Sequence, residues 1–154
     1  MKVKTIFITL LASIFLSSCN LCGSFGANEL GKNLVLLEGD HLEDRIIVLC
    51  SKKETERKCC TGGSYIIPLS YEEKKGQYVD VAEFDENWII AKTIKYSENN
   101  KEEYWIIDKN INLEEIDCYD VDCESIVKSK IIGPLELEEF NAKLKDFNID
   151  LNFK

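Results

Sequence analysis

Trp88-Ile89-Ile90-Ala91-Lys92-Thr93-Ile94-Lys95-Tyr96, then the polar run Ser97-Glu98-Asn99-Asn100-Lys101-Glu102-Glu103, then Tyr104-Trp105-Ile106-Ile107-Asp108, is the stretch that decides the fold. Two runs rich in Ile, Trp and Tyr around an Asn-containing turn predict a β-hairpin. Trp88, Ile90, Ile94 and Tyr96 share one face, which Lys92 interrupts. Upstream, Tyr78–Phe84 alternates weakly as a strand. Arg45–Cys50 is an apolar, β-branched run, and Leu34–Leu37 ends at the turn signal Gly39-Asp40. Tyr65-Ile66-Ile67-Pro68-Leu69 belongs at an edge or a bend, because proline cannot donate to a ladder. Downstream, Ile126–Ile132 reads as a last strand broken by Gly133-Pro134. Isoleucine doublets recur at 46–47, 66–67, 89–90, 106–107 and 131–132, spaced too irregularly for a solenoid or propeller.

The tail changes period. Leu137, Phe140, Leu144, Phe147 and Leu151 line one face of a helix. Glu136, Glu138 and Glu139 suit its N-terminal dipole, and Pro134 suits a helix start. The expected fold is α+β and mainly β: an antiparallel sheet of about five to seven strands with one C-terminal amphipathic helix.

The N-terminus has a different grammar. Lys2 and Lys4 precede the apolar run Ile6–Leu16, which ends in Leu16-Ser17-Ser18-Cys19. Charge, apolar run and small residues in that order predict a secretory signal peptide. At about twelve residues the run is too short to span a bilayer stably. Leu-Ser-Ser-Cys resembles the lipobox of bacterial lipoproteins, the alternative being an ordinary signal peptide with a chance cysteine. The resemblance implies cleavage before Cys19, a lipid on its thiol and an acyl group on its new amino group. The expected layout is residues 1–18 as signal peptide, 19–33 as a lipidated flexible tether rich in Gly, Ser and Asn, and 34–154 as one globular β-rich domain. The address is the cell envelope. Asn20 in place of the inner-membrane aspartate that some bacteria use points to the outer membrane.

The chain carries 19 basic and 28 acidic side chains, net −9, and residues 1–18 hold two lysines and no acid, which leaves −11 after cleavage. Such a body repels nucleic acid and anionic headgroups, and steers toward basic proteins or cations. An acidic surface also simply keeps a protein soluble. Of seven cysteines, Cys19 takes the lipid, and Cys22, Cys50, Cys59, Cys60, Cys118 and Cys123 remain as an even set of disulfide candidates. Cys118 and Cys123 bracket a short acidic loop and can close it. Cys50 can meet Cys59 or Cys60 if Lys52–Lys58 is a hairpin loop, with Cys22 taking the other. A metal site from Cys59, Cys60, Cys118 and Cys123 is the sharper reading, but adjacent cysteines are not the spacing of zinc sites.

Asn87-Trp88-Ile89-Ile90-Ala91-Lys92 with Tyr104–Asp108, and the tail Ile131-Ile132-Gly133-Pro134-Leu135-Glu136-Leu137-Glu138-Glu139-Phe140, resemble an uncharacterised family of small secreted bacterial proteins and lipoproteins. The likeness runs over roughly 34–150, carries no assigned activity, and does not include the cysteines.

Chemistry finds few handholds. His41, the one histidine, lies in the acidic turn Glu38-Gly39-Asp40-His41-Leu42-Glu43-Asp44 and reads as a solvated loop residue rather than a base. No nucleophile elbow, zinc helix, P-loop or dinucleotide fingerprint is present. Adjacent carboxylates such as Glu72/Glu73, Asp85/Glu86 and Glu102/Glu103 point to opposite faces on a strand and do not converge. Asp117, Asp120, Asp122 and Glu124 form a weak calcium candidate without the spacing or central glycine of a calcium loop. The expectation is a non-enzymatic, lipid-anchored binding protein of the envelope that needs no cofactor. One form is an immunity-type lipoprotein that binds a toxin or other basic protein. The alternatives are an accessory envelope lipoprotein without a dedicated partner, and an envelope enzyme.

Overall fold

A computed structural model of the chain describes residues 27–56, 60, 62–113, 118 and 121–154. Eight strands run in chain order: β1 Ala27–Gly31, β2 Leu34–Leu37, β3 Ile46–Leu49, β4 Ser64–Ile67, β5 Gln77–Phe84, β6 Trp88–Lys95, β7 Lys101–Asp108 and β8 Ile131–Leu135. They form two antiparallel four-stranded sheets, β1-β2-β3-β4 and β5-β6-β7-β8, each in sequence order. Four helices are described: α1 Lys52–Glu56, α2 Tyr71–Lys74, α3 Cys123–Lys128 and α4 Leu137–Asp146. The fold is mainly β with an amphipathic helix near the C-terminus, as the periodicity requires.

The strands divide between two sheets because both contribute one face to a shared core. Leu30, Leu34, Leu36, Ile47, Ile66 and Ile67 from the first sheet pack with Val79, Ile89, Ala91, Trp105 and Ile107 from the second. Trp105 is 1% exposed, and its indole N–H donates to the Thr93 hydroxyl at 2.9 Å. Gly133 sits directly over it: a Cβ there would come within 2.8 Å of the Trp105 ring and of the Tyr104 carbonyl oxygen, and its φ is +145°. Only glycine meets both demands.

The outer faces are finished differently. On the second sheet, Ile90, Tyr104, Ile106 and Leu135 pack beneath Phe140 of α4 and Ile149 of the tail. Aromatic stacking extends this layer, with Phe140 5.7 Å from Phe153 and Trp88 5.4 Å from Phe147. On the first sheet, Val35, Ile46 and Val48 cluster with Cys50 and Cys60, and Ala27, Leu37 and Tyr65 form the rim.

Several elements differ from the sequence expectation. Ala27–Gly31, within the stretch expected as tether, is strand β1 and pairs with β2; Leu30 is an inward residue that rewards the pairing. Within the expected hairpin loop Lys52–Lys58, Lys52–Glu56 is helix α1, where Glu54 accepts from the Ser51 hydroxyl at 2.7 Å. Ile126–Ile132 is not one strand. Asp122 caps α3 by accepting from the Ser125 N–H at 3.0 Å, and Glu124 pairs with Lys128 one turn on at 2.5 Å. Those local contacts hold 123–128 as helix. Gly133 and Pro134 do not end the strand but lie inside β8, opposite Trp105, where the register shifts. Pro68 behaves as expected: β4 is an edge strand and stops before it. Of the apolar stripe in the tail, Phe140 is buried, whereas Leu137 is 51% exposed and Phe147 and Leu151 follow the helix end.

Candidate functional site

Charged groups concentrate on the outer face of the second sheet, beyond the cover of α4. A bulge in β5 sets Val79 opposite Thr93 and Val81 opposite Lys92, leaving Asp80 as the extra residue. That bulge aims Asp80 both ways. Its carboxylate meets the Lys92 ammonium at 2.7 Å, and its carbonyl accepts from Arg45. Lys92 also reaches Glu102 at 3.4 Å, and Glu102 accepts from the Tyr104 hydroxyl at 2.6 Å.

The electrostatics of this ladder point away from proton chemistry. The hydrogen bond to Asp80 holds Lys92 above the usual lysine value. Burial, with the Glu102 bond, pushes Tyr104 up to about 12. The same bond holds the Glu102 carboxyl below its ordinary range. Lysine and phenol are thus locked in their protonated forms and the carboxylate in its ionised form. A general acid or base needs a value near the working pH, and this set has been moved the other way. It acts as a brace tying three neighbouring strands.

Lys109 is the second concentration. It is 4% exposed, and its ammonium donates to the Leu30 carbonyl at 2.7 Å while lying 5.1 Å from the Phe84 ring centre. Its own N–H donates to the Asn87 carbonyl at 2.7 Å. Burial pulls its value below that of ordinary lysine. The amine clips β1 of one sheet to the end of β7 in the other. Sequence reasoning noted Lys92 and Glu102 without joining them and passed over Lys109, although Ile107, Lys109, Ile111 and Leu113 alternate as inward positions.

The residues singled out from sequence fall as follows. Cys50 and Cys60 form a disulfide with Cα atoms 6.0 Å apart, and Cys118 and Cys123 another at 5.4 Å. Cys60 is therefore the partner of Cys50 that the sequence left open against Cys59, and the four-cysteine metal reading loses Cys60, Cys118 and Cys123 to bridges. Cys19, Cys22 and Cys59 lie outside the described residues, as do Asp117 and Asp120 of the calcium candidate. Its other two acids are engaged locally, Asp122 in the α3 cap and Glu124 with Lys128. Among the described residues no three His, Cys, Asp or Glu side chains gather as a cation cage. His41 is exposed at the start of a 3-10 turn, Leu42–Asp44. Of the adjacent carboxylates only Glu102/Glu103 lies on a strand, and it diverges, with Glu102 facing Lys92 and Glu103 lying 3.6 Å from Lys101 and 3.9 Å from Lys95. Glu72/Glu73 lies in α2 and Asp85/Glu86 in the turn after β5. Glu72 pairs with Lys75, whereas Glu73 accepts from the Leu69 N–H.

An open hollow of about 710 Å³ lies between α4 and the tail, lined by Asn141, Leu144, Lys145, Asn148, Asp150 and Asn152. Ile149 and Leu151 complete its lining, so amides and two charges alternate with aliphatic side chains on an open wall. No described helix is long and apolar enough to cross a membrane. No protein-family model, curated protein or solved structure matches the chain.

Proposed function

We propose that the protein is a lipid-anchored binding protein of the bacterial cell envelope, held through Cys19 and recognising a basic protein. The reading rests on the signal peptide and Leu16-Ser17-Ser18-Cys19. It is supported by the two disulfides, because such bridges persist outside the reducing cytosol. With −11 after cleavage, a basic partner would be drawn in at long range and retained less well at high salt. An immunity-type lipoprotein that neutralises a basic toxin in the periplasm fits this chemistry, and loss of the gene would then lower survival against the toxin-producing strain.

The anchor is tested by fractionation. Cys19→Ala should move the protein from the membrane pellet to the precursor or soluble pool, and the mature N-terminal peptide of the wild type should carry lipid mass. An unmodified Cys19 with the wild type in the soluble fraction would contradict the anchor. An accessory role without a dedicated partner is the second reading. The same domain finding no stoichiometric partner in envelope extract would favour it.

A further inference from the structure

We infer that one pole of the domain lies flat against a zwitterionic lipid surface, with Leu42, Tyr71, Tyr96 and Leu137 at the headgroup boundary. This rests on the lipid-anchor reading and specifies how the anchored body sits. The pole is defined by register. Ala27 pairs with Leu37, Leu37 with Ile46, and Ile47 with Ile67, so β1 begins at the end of the first sheet that carries the Glu38–Arg45 connection and α2. The second sheet is joined there, since the Val79 N–H donates to the Arg45 carbonyl at 2.9 Å. Gln77 pairs with Lys95 and Lys95 with Lys101, which puts the 3-10 turn Tyr96–Glu98 at the same pole. Glu136 reaches Lys101 at 2.8 Å and brings Leu137 alongside.

Four of the seven exposed large hydrophobic side chains among the described residues collect there: Leu42 at 49%, Tyr71 at 57%, Tyr96 at 44% and Leu137 at 51%. Three of them, Leu42, Tyr71 and Tyr96, are tied together through α2. Tyr96 donates to the Lys75 carbonyl, the Lys75 ammonium lies 5.1 Å from the Tyr71 ring centre, and Lys74 pairs with Asp44 beside Leu42 at 3.2 Å. Tyrosine suits the interfacial layer, with an apolar ring and a wet hydroxyl.

The length of chain before Ala27 selects this pole. Cys19 is eight residues upstream, and eight residues reach at most about 29 Å even when fully extended. Eight-residue strands such as β5 and β6 separate the two poles by about 27 Å. The pole bearing Ala27 is therefore the one held near the lipid. Its acids, Glu38, Asp40, Glu43, Asp44, Glu72, Glu73 and Glu98, outnumber its bases, Arg45, Lys74, Lys75, Lys95 and Lys101, several of which they pair with, and the excess opposes an anionic surface. That selects zwitterionic headgroups and leaves the Phe84–Trp88 turn and α1 facing the compartment.

Backbone hydrogen exchange of the lipidated full-length mature protein on phosphatidylcholine vesicles, against the unlipidated Cys19→Ala protein in solution, tests this. About tenfold slower exchange at 38–45, 71–76 and 96–100, with 52–56 and 84–87 unchanged, is the expected result. Leu42→Ser with Tyr71→Ser should abolish that slowing while the lipid and the membrane pellet remain. Slowing at the opposite pole, or none anywhere, on protein whose N-terminal peptide carries lipid mass overturns the pose alone. Absence of lipid mass overturns the anchor and the pose together.

Discussion

The two sheets share a core but are closed by different means. The second has three eight-residue strands, and α4 with its aromatic tail covers most of its outer face. The first has strands of four or five residues, and the Cys50–Cys60 bridge sits among its outer apolar residues. Long strands bury enough side chains to hold a helix by packing alone. Short ones gain from a covalent tie that restricts the unfolded chain instead. The sheets should therefore respond differently to reduction and similarly to any damage in the core between them.

Trp105→Ala strikes both at once. It empties the centre of the shared core and leaves the Thr93 hydroxyl only its bond to the Glu103 carbonyl, and should cost about 4 kcal/mol, read as a shifted urea midpoint. Exchange protection should fall together in β2–β3 and β6–β7. Replacing Cys50 and Cys60 by alanine should cost about 3 kcal/mol for a loop this short. Here protection should fall in β2–β4 while β6 and β7 keep theirs. Equal loss in both would show that the sheets unfold as one unit.

The outer brace gives a smaller, pH-dependent contrast confined to the second sheet. Tyr104 is pushed up to about 12 from an ordinary 10.0. The unfolded chain therefore loses this proton first, and the stabilisation it brings is whole below pH 10.0 and lost as pH rises toward about 12. Tyr104→Phe should flatten the fall in stability across that window. The smallest effect belongs to the clip between the sheets. Lys109→Met removes one hydrogen bond together with the cost of a buried charge, so the unfolding free energy from urea titration should change by under about 1 kcal/mol in either direction. A large loss would make Lys109 a principal tie.

Much of this was legible because side-chain period reports burial. The Trp88–Asp108 hairpin, the edge position of β4 and the C-terminal helix follow from alternation, proline and the 3-4 spacing. The division into two sheets was not legible, since each strand of a shared core reads alike whichever sheet holds it. Helix α3 was misread because Ile126, Val127, Ile131 and Ile132 suggest a strand, while its real determinants are the Asp122 cap and the Glu124–Lys128 pair. Within the charged groups, Lys92 was noticed only as an interruption, and Lys109 stood in an inward register that its charge disguised. The choice of Cys60 over Cys59 needed three-dimensional geometry. Two adjacent cysteines cannot be told apart by spacing.

We propose that this acidic domain, held by a lipid at Cys19, binds a basic protein at the membrane. The most direct test is a non-reducing pull-down of the tagged mature protein from solubilised envelope, washed in low salt and eluted in high salt. The account expects one basic protein, near equal in amount to the bait and released by salt. An eluate with no stoichiometric protein, or one whose partner is acidic and indifferent to salt, would contradict it.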